Sequence, residues 1–479
     1  MVEQNTDAKM NDGQIHMPDE LLRFIQRDTY SLLIKGFAGT GKTTLALTIL
    51  RALESNNNFF YISTRISPKQ LFQYYPWLGR FVEQPKDINP GDGSAIEYGL
   101  MPSFEDARLD EPESLFERIT NQLMDSKSPI IIIDSWDAIA SFMDKEARLN
   151  NERVLQTWRE RAGAKLIFIS EHPTDTTLDF LVDGIVELKQ SYYDSVKVRE
   201  IFMLKLRGVR IDRPSYVYTL ENTMFRSFAP YKPLMLQPAS KKPLSSRELA
   251  LTHNYVKSGY PVLDDALGGG LPKKGVVLLE LDSHVNTAVA MAFLGRLVSN
   301  FLSSGNPVLF QPFDWVDPQA IMGYMGPHLP ASKKSLFKIL WTDKVKGLAD
   351  NLIVPVQKQH ADYSLAAVAA IKHKYPGKFL LNIMGTDIMQ KSYRSPKDVR
   401  DGMEHLMSAA RTSDFSVAVI SRSQKEMLEY LSEVSDIHLR LLMINDTLFL
   451  QSLVPASTLY SVVFDESGGG YQINLEPVV

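Results

Sequence analysis

Near its N-terminus the chain reads Gly36-Phe37-Ala38-Gly39-Thr40-Gly41-Lys42-Thr43, which matches the phosphate-binding pattern G-x-x-x-x-G-K-[ST], the P-loop. The flanking sequence supplies the context that this pattern needs. The apolar residues 30–34 predict a buried strand before the loop, and apolar positions spaced three and four apart predict a helix from Lys42 to Ser55. A strand, a glycine-rich turn and a helix in this order predict an α/β fold.

Each residue type in the loop has a physical reason to be there. Glycines allow the backbone to curl so that its N–H groups point at phosphate oxygens, and the N-terminus of the helix adds its positive dipole end. Lys42 supplies a charge for the β- and γ-phosphates, and the Thr43 hydroxyl is a ligand for Mg²⁺. The alternative is a glycine-rich turn before a helix, without a ligand. The residues expected to surround the nucleotide are Gly36, Phe37, Ala38, Gly39, Thr40, Gly41, Lys42, Thr43 and Thr44.

The second part of such a site is an acidic residue at the end of a buried strand. Residues 130–133 are four isoleucines, and Asp134 follows them directly. This run predicts a buried strand that ends at a Mg²⁺-binding carboxylate, the Walker B acid. The alternative is a solvated acid in the turn after a strand.

Length and composition limit the other possibilities. The chain has 479 residues, a net charge of -4, 44% hydrophobic and 23% charged residues, and no cysteine. The length predicts two or three domains, and the absence of cysteine excludes disulfides and thiol chemistry. The polar N-terminus has no signal-peptide pattern, and no apolar run is long enough to cross a bilayer. We therefore expect a cytoplasmic protein with a loose tail at residues 1–14 and no membrane partner.

Further motifs occur in the order found in one family. The first half, about residues 20–230, resembles a RecA-type P-loop ATPase, and above all its KaiC-like branch. The motifs that carry the resemblance, besides the P-loop and Asp134, are Phe59-Phe60-Tyr61-Ile62-Ser63, Leu166-Ile167-Phe168-Ile169-Ser170-Glu171, Asp183-Gly184-Ile185-Val186-Glu187-Leu188 and Lys205-Leu206-Arg207-Gly208. The resemblance implies ATP with Mg²⁺. It also implies that Lys205 and Arg207 reach a neighbouring subunit's nucleotide, so that the chain self-associates as a ring, a filament or a dimer.

One departure from the family concerns the residue that polarises the attacking water. The KaiC-like branch has paired glutamates after the second strand, whereas this chain has Arg65 there. A guanidinium cannot act as a base. Asp137 and Glu171 are the candidate substitutes for this acid. Together with Lys42 and Asp134 they are the candidate catalytic residues, and hydrolysis is expected to be slow. The stretch 61–68 also bears a weaker likeness to the archaeal gas-vesicle regulator GvpD, another P-loop protein.

The second half is similar to the same fold without its nucleotide site. Prolines cluster at residues 229–250, which predicts a linker between a domain at 15–228 and a second one at 251–479. The KaiC-like opening 258–272 precedes an apolar strand at 276–280. The alignment puts the following residues opposite the first P-loop and its acid: Leu281 opposite Gly36, Asn286 opposite Gly41, Thr287 opposite Lys42, Ala288 opposite Thr43, and Asn382 opposite Asp134. The alternative is an unrelated α/β domain.

These observations predict two tandem RecA-like domains, each a mostly parallel sheet flanked by helices with a closing β-meander, of which the second has lost its nucleotide site. The expected function is a slow Mg-ATPase whose nucleotide state controls assembly or a protein partner. One alternative is a nucleotide-gated regulator with negligible turnover. Another is a DNA recombination or repair ATPase, because residues 189–213 carry basic residues near Tyr192 and Tyr193. Nucleic acid is the less favoured partner.

Overall fold

The structure is a computed structural model. It describes residues 16–53, 58–81, 103–108, 112–123, 127–143, 154–155, 157–174, 178–232, 255–311, 316–326, 329–341, 353–355, 363–386, 396–412, 415–422, 425–465 and 472–479. The chain divides into two compact units, Met1–Ala229 with Val478–Val479, and Pro230–Pro477. The expected tail at 1–14 and most of the expected linker lie outside the described residues. No helix among the described ranges is both long and apolar enough to span a bilayer.

The first unit alternates strands and helices before it closes with antiparallel strands. Its strands are β1 (Tyr30–Gly36), β2 (Phe59–Ser63), β3 (Ser103–Asp106), β4 (Ile130–Asp134), β5 (Lys165–Ser170), β6 (Gly184–Tyr193), β7 (Val196–Leu206), β8 (Ser215–Thr219) and β9 (Arg226–Ser227). Its helices are α1 (Asp19–Ile25), α2 (Lys42–Ala52), α3 (Pro68–Tyr74), α4 (Leu78–Phe81), α5 (Pro112–Leu123) and α6 (Trp136–Ala140). The strands predicted on either side of the site, at 30–34 and up to Asp134, are confirmed.

The sheet of this unit brings the ends of its central strands together. Its strand order is β3-β2-β4-β5-β1-β6-β7-β8-β9, parallel from β3 to β6 and antiparallel from there on. Ser63 pairs with Asp134 across β2 and β4, and Lys35 pairs with Ser170 across β1 and β5. The carboxyl ends of parallel strands therefore place the P-loop, the Walker B acid and the end of β5 at one edge.

Both faces of the central strands are buried, which explains their nearly continuous apolar sequences. On one face Leu32 and Ile34 pack in the same core as Leu45 and Ile49 of α2. On the other face Leu33 belongs to a separate core, to which α5 and α6 also contribute. The P-loop helix is thus held against the sheet by one complete apolar layer.

The second unit is built on a larger sheet. Its strands are β10 (Tyr255–Val256), β11 (Leu271–Pro272), β12 (Gly275–Leu281), β13 (Val308–Phe310), β14 (Phe337–Trp341), β15 (Ile353–Pro355), β16 (Leu380–Gly385), β17 (Phe415–Arg422), β18 (Ile437–Ile444), β19 (Thr447–Val454), β20 (Leu459–Asp465) and β21 (Gln472–Pro477). Its helices are α7 (Pro261–Ala266), α8 (Thr287–Ser303), α9 (Pro318–Met325), α10 (Tyr363–Lys374), α11 (Pro396–Thr412) and α12 (Lys425–Val434). The predicted meander is confirmed, because β18 to β21 are successive antiparallel neighbours.

The two sheets share one strand order. The second reads β15-β14-β13-β16-β17-β12-β18-β19-β20-β21, which repeats the first order strand for strand with β15 added at the edge. β1 and β12 are both seven residues long, and a helix starts six residues after Gly36 and after Leu281. This equivalence puts Leu281 opposite Gly36 and Thr287 opposite Lys42, as the alignment predicted.

A hydrogen-bonded aspartate recurs at the same place in both sheets. Asp183 Oδ2 accepts from Ser31 N at 3.1 Å before β6, and Asp436 Oδ2 accepts from Val276 N at 2.8 Å before β18. Each aspartate also accepts a hydrogen bond from an arginine of the helical segment that precedes β5 or β17; these arginines are Arg159 and Arg411. The same hydrogen bond therefore links the start of β6 to β1 and the start of β18 to β12.

The register corrects one predicted correspondence. Read across the neighbouring strand, Asp134 lies level with Ile34 of β1, whereas Gly385 lies level with Leu279 of β12. Ile34 and Leu279 both stand two residues before the end of their strands. The position of the Walker B acid is therefore occupied by Gly385, and the prediction that Asn382 stands there was wrong.

The error has a physical cause. Asn382 ends an apolar run in the sequence, as Asp134 does, but the strand continues for three residues beyond it. Its side chain is fully buried, and its Oδ1 accepts a hydrogen bond from Gln311 Nε2 at 2.8 Å. A partner for that carbonyl lowers the cost of a polar residue inside the sheet. The end of an apolar run was therefore not the end of the strand.

Candidate nucleotide-binding site

The P-loop leaves the N-terminus of α2 open. Gly41 is the N-cap residue, and its φ of 93° lies in the left-handed region that glycine adopts without strain. A Cβ there would come within 2.6 Å of Leu220 Cδ1, so any other residue would also have to displace that side chain. No side chain caps α2. The first backbone N–H groups of the helix are therefore available to an anion.

The carbonyl groups of the loop point at fixed donors. Arg199 donates to the Gly39 oxygen at 2.8 Å, and the Tyr218 hydroxyl donates to the Thr40 oxygen. Both donors come from the antiparallel strands β7 and β8, and both side chains are buried. Because the C=O and N–H of a trans peptide unit point in opposite directions, anchored carbonyls turn the amides of the loop the other way.

Lys42 lies over the loop that it belongs to. Its ammonium donates to the carbonyl oxygens of Gly36 at 2.8 Å and Phe37 at 2.9 Å. Burial lowers the pKa of Lys42, while the carboxylates of Glu171 and Asp134 act in the opposite direction. The ammonium is thus desolvated and surrounded by acceptors, the setting in which a cation binds a phosphate most strongly.

Asp134 and Thr43 meet as the two motifs predict. The Thr43 hydroxyl donates to Asp134 Oδ2 at 2.6 Å, and the Tyr61 hydroxyl donates to the same oxygen at 2.5 Å. Burial raises the pKa of Asp134, and both hydroxyl hydrogen bonds and Lys42 counteract this rise. A hydroxyl and a carboxylate side by side form the hard oxygen donor set that Mg²⁺ prefers.

The two candidates for the water-positioning group differ in their surroundings. Asp137 uses both carboxylate oxygens at the end of β5, where they accept from Ser170 Oγ at 3.1 Å and from Glu171 N at 2.5 Å. Glu171 forms a 2.5 Å ion pair with Arg65, and its charge raises the pKa of Lys42. The charges of Asp134, Asp137 and Arg65 also affect the pKa of Lys42, so the structure brings all four residues near the P-loop, with Asp137 bound to the backbone of Glu171.

Lys205 and Arg207 lie away from this unit's P-loop. Lys205 pairs with Ile185, which pairs with Leu33 in the middle of β1, whereas the loop starts beyond Gly36. Arg207 N donates to the Asp183 oxygen, near the start of β1. The Lys205 ammonium donates to the Asp179 carbonyl oxygen at 2.8 Å, and Arg207 approaches Asp183 at 3.4 Å. The structure therefore does not bring these two residues together with the rest of the predicted site.

The basic segment 189–213 is not a uniform cationic surface. Lys189 pairs with Glu187 at 3.2 Å, Arg210 pairs with Asp212 at 2.8 Å, and Arg199 is buried against the P-loop. Tyr192 is 70% exposed at the end of the β6–β7 hairpin. Acidic partners thus neutralise part of the charge that suggested nucleic acid.

The second unit closes the helix end that the first leaves open. Asn286 is the N-cap residue of α8, and its Oδ1 accepts from Ala288 N at 2.9 Å. Asn286 has an ordinary extended backbone in place of the left-handed one of Gly41. Thr287 stands where the ammonium of Lys42 would be required. Neither the open amides nor the cation of the first unit is present here.

Comparison with known proteins agrees with this geometry. Residues 21–206 match the family described as GvpD gas vesicle protein, P-loop domain. These residues form a P-loop domain related to GvpD and KaiC. Protein GvpD2 of Halobacterium salinarum is 25% identical over 316 residues, and Protein GvpD1 of that organism is 27% identical over 321 residues. The circadian clock oscillator protein KaiC of Rippkaea orientalis is 24% identical over 298 residues.

The alignments differ in how much of this chain and of each relative they cover. They cover 63% of this chain for both GvpD proteins and 57% for KaiC. The chain spans 62%, 57% and 50% of GvpD2, GvpD1 and KaiC in turn. Both predicted resemblances are confirmed, but their order is reversed, because GvpD matches over more of the chain than KaiC does. The GvpD alignments are also too long to be confined to the GvpD-related domain.

Three residues that support the site in the GvpD-related domain were not predicted from the sequence. Tyr61 orients Asp134, and Arg199 and Tyr218 hold the P-loop carbonyls. Tyr61 lies in an apolar strand where every residue is buried, so its pattern suggests only core packing. Arg199 and Tyr218 are more than 150 residues from the loop they contact. Only the closing of β7 and β8 onto the sheet reveals their role.

Proposed function

We propose that the GvpD-related domain binds Mg-ATP and hydrolyses it slowly. The observation that carries this proposal is the open N-terminus of α2, with Lys42 beside it and Thr43 hydrogen-bonded to Asp134. Amides, an ammonium and an oxygen donor pair are the three parts that a nucleoside triphosphate with Mg²⁺ requires. ATP is preferred over GTP because of the KaiC-like resemblance.

The roles of the side chains follow from their surroundings. Lys42 would exchange its two loop carbonyls for oxygens of the terminal phosphates, and Thr43 and Asp134 would hold Mg²⁺. The bound ion would neutralise charge on the phosphates. Glu171 is the carboxylate that we assign to the attacking water, since Asp137 is occupied by its two hydrogen bonds. Asp137 is then a positioning residue, because it holds the backbone from which Glu171 projects.

We further infer that the second unit is a RecA-like domain without nucleotide. The shared strand order and the recurring aspartates Asp183 and Asp436 support duplication. Asn286, Thr287 and Gly385 replace the open helix end, the lysine and the acid. Such a unit would contribute assembly or regulation and no catalysis.

A further proposal concerns what the nucleotide state controls. A gas-vesicle protein and a clock oscillator serve different processes, so the feature that can be carried over is the nucleotide-binding domain itself. We propose that its nucleotide state controls assembly or a protein partner. Lys205 and Arg207, which lie away from their own P-loop, would act on a neighbouring subunit's nucleotide.

The test combines turnover with mass. We expect Mg²⁺-dependent ATP hydrolysis by the whole chain that is lost in Lys42→Ala, and a change in oligomeric mass on addition of ATP. Arg210→Gln, a change at an exposed ion pair of the same unit, is the control and should behave as the wild type. Turnover that survives unchanged in Lys42→Ala would refute the assignment of this site.

A second candidate is a nucleotide-gated regulator with negligible turnover. The specific observation in its favour is the ion pair between Glu171 and Arg65, which occupies the carboxylate that hydrolysis needs. This candidate predicts ATP-dependent changes in mass without measurable phosphate release. A DNA-dependent ATPase would instead show turnover stimulated by single-stranded DNA and lost as salt is raised.

A further inference from the structure

Two opposite charges face each other at the edge of the sheet, next to the P-loop. Arg65 follows β2 and Glu171 follows β5, and their side chains approach to 2.5 Å. The family pattern has an acid where Arg65 stands, so the charge at this strand end is reversed. The pair lies at the partly exposed rim of the site, with side chains that are 51% and 20% exposed.

The backbone on each side of this pair is held firmly. Thr64 N donates to the Asp134 carbonyl oxygen at 2.8 Å, and Ser63 Oγ closes the turn around Arg65 by donating to the Ile66 oxygen at 2.7 Å. Glu171 N donates to Asp137 at 2.5 Å. Both side chains therefore start from fixed points beside the Walker B strand, and only their ends are free to move.

Both charges act on the group that would meet the terminal phosphates. The carboxylate of Glu171 raises the pKa of Lys42, and the guanidinium of Arg65 lowers it. A triphosphate bound at the P-loop would bring several negative charges to this same place. It would attract Arg65 and repel Glu171.

We propose that Arg65 is a γ-phosphate-binding residue that leaves Glu171 when a triphosphate binds, and so releases Glu171 for the attacking water. The proposal rests on the proposed function, because it assumes ATP at the P-loop. It differs from the family pattern, in which an acid occupies the end of β2. Here a cation, Arg65, follows β2, and an acid, Glu171, follows β5.

Arg65 would change partners because the two contacts differ in strength. A partly exposed ion pair contributes little, since water screens it. A guanidinium on a phosphate forms paired, charge-assisted hydrogen bonds in a site that the nucleotide itself desolvates. A diphosphate lacks the group that would attract Arg65, so the ion pair would persist with ADP. The pair thus distinguishes the two nucleotide states.

The experiment measures the affinity of the whole chain for a non-hydrolysable ATP analogue and for ADP, both with Mg²⁺. Arg65→Gln is expected to weaken the analogue about tenfold, the loss of roughly one charge-assisted contact, and to leave ADP within about twofold. Arg108→Gln is the matched control, because Arg108 also follows a strand of this sheet in an exposed ion pair, with Asp106. It should change neither affinity.

A second variant separates phosphate binding from a purely structural ion pair. Glu171→Gln frees Arg65 and removes a repulsive charge, so the analogue should bind more tightly while turnover falls. If Arg65 merely held Glu171 in place, both variants would change the affinity for the analogue in the same direction. That result, or equal weakening of the analogue and ADP in Arg65→Gln, would overturn the proposal. A wild type that binds neither nucleotide would instead refute the proposed function.

Discussion

Replacing Tyr61 by phenylalanine tests whether the tyrosine was placed to hold the Walker B acid. The Tyr61 hydroxyl is fully buried and donates to Asp134 Oδ2 at 2.5 Å. Tyr61→Phe removes this oxygen and leaves the ring, which packs in the core beneath α2. The change therefore creates almost no cavity, and its effect reports the hydrogen bond.

The expected magnitude follows from the nature of the acceptor. A hydrogen bond to a charged group contributes about 1.5–3 kcal/mol, whereas one between neutral groups contributes about 0.5–1.5 kcal/mol. Asp134 is 8% exposed, and Thr43 would be its remaining hydroxyl donor on Oδ2. We expect Tyr61→Phe to lower the free energy of unfolding of the first unit by about 2 kcal/mol.

The chain offers a matched control for this measurement. The Tyr75 hydroxyl shares a hydrogen bond of 2.9 Å with Thr44 Oγ1, a neutral partner in α2, the helix that also carries Thr43. Tyr75→Phe should therefore cost about 1 kcal/mol or less. Urea unfolding of the whole chain in a chelator, with amide hydrogen exchange followed in β1 and β4, assigns the loss to the first unit. Equal losses in both variants would refute the argument that Tyr61 acts through a charged acceptor.

Three further predictions concern single side chains. Gly41→Ala should lower the free energy of unfolding by about 1–3 kcal/mol more than Gly39→Ala. Both glycines have a left-handed backbone, but only the Gly41 Cβ would meet a neighbour, Leu220; equal losses in thermal unfolding would contradict this. Asn286→Ala removes the α8 cap and should lower the free energy of unfolding of the second unit by about 1 kcal/mol, measured in urea. The affinity of the chain for nucleotide should not change, and a loss of affinity would contradict a second unit without nucleotide. Burial raises the pKa of Asp264, so its contribution to stability is present at low pH and is lost as pH rises through the raised value. Asp264→Asn should flatten the dependence of the free energy of unfolding on pH in this range, and an unchanged dependence would contradict the role given to Asp264.

The features that could be predicted from the sequence are those that depend on residues close together along the chain. The P-loop combines a buried strand, glycines and a helix start within a short segment, and β1, α2 and the loop formed as predicted. Asp134 was equally predictable, because four isoleucines define the strand that it ends. In both cases backbone conformation and burial depend on neighbours in sequence.

The same reasoning failed where polarity was used to locate a strand end. Asn382 looks like a terminal residue, yet a buried partner, Gln311, allows the strand to continue to Gly385. Whether a polar residue ends a strand depends on what lies opposite it, and that residue is 71 positions away. The sheet register was required to find the correct counterpart of Asp134.

The chain's sequence by itself predicted the P-loop, the meeting of Thr43 with Asp134, and the replacement of the P-loop lysine in the second half. These features depend on residue type and spacing along one segment. Only the tertiary structure brought Arg65 to Glu171 and Tyr61 to Asp134. Each of these contacts joins residues in or just after different strands. The order and register of a parallel sheet set which of these residues meet. That order is a property of the packed chain, since crossover connections allow strands distant in sequence to become neighbours.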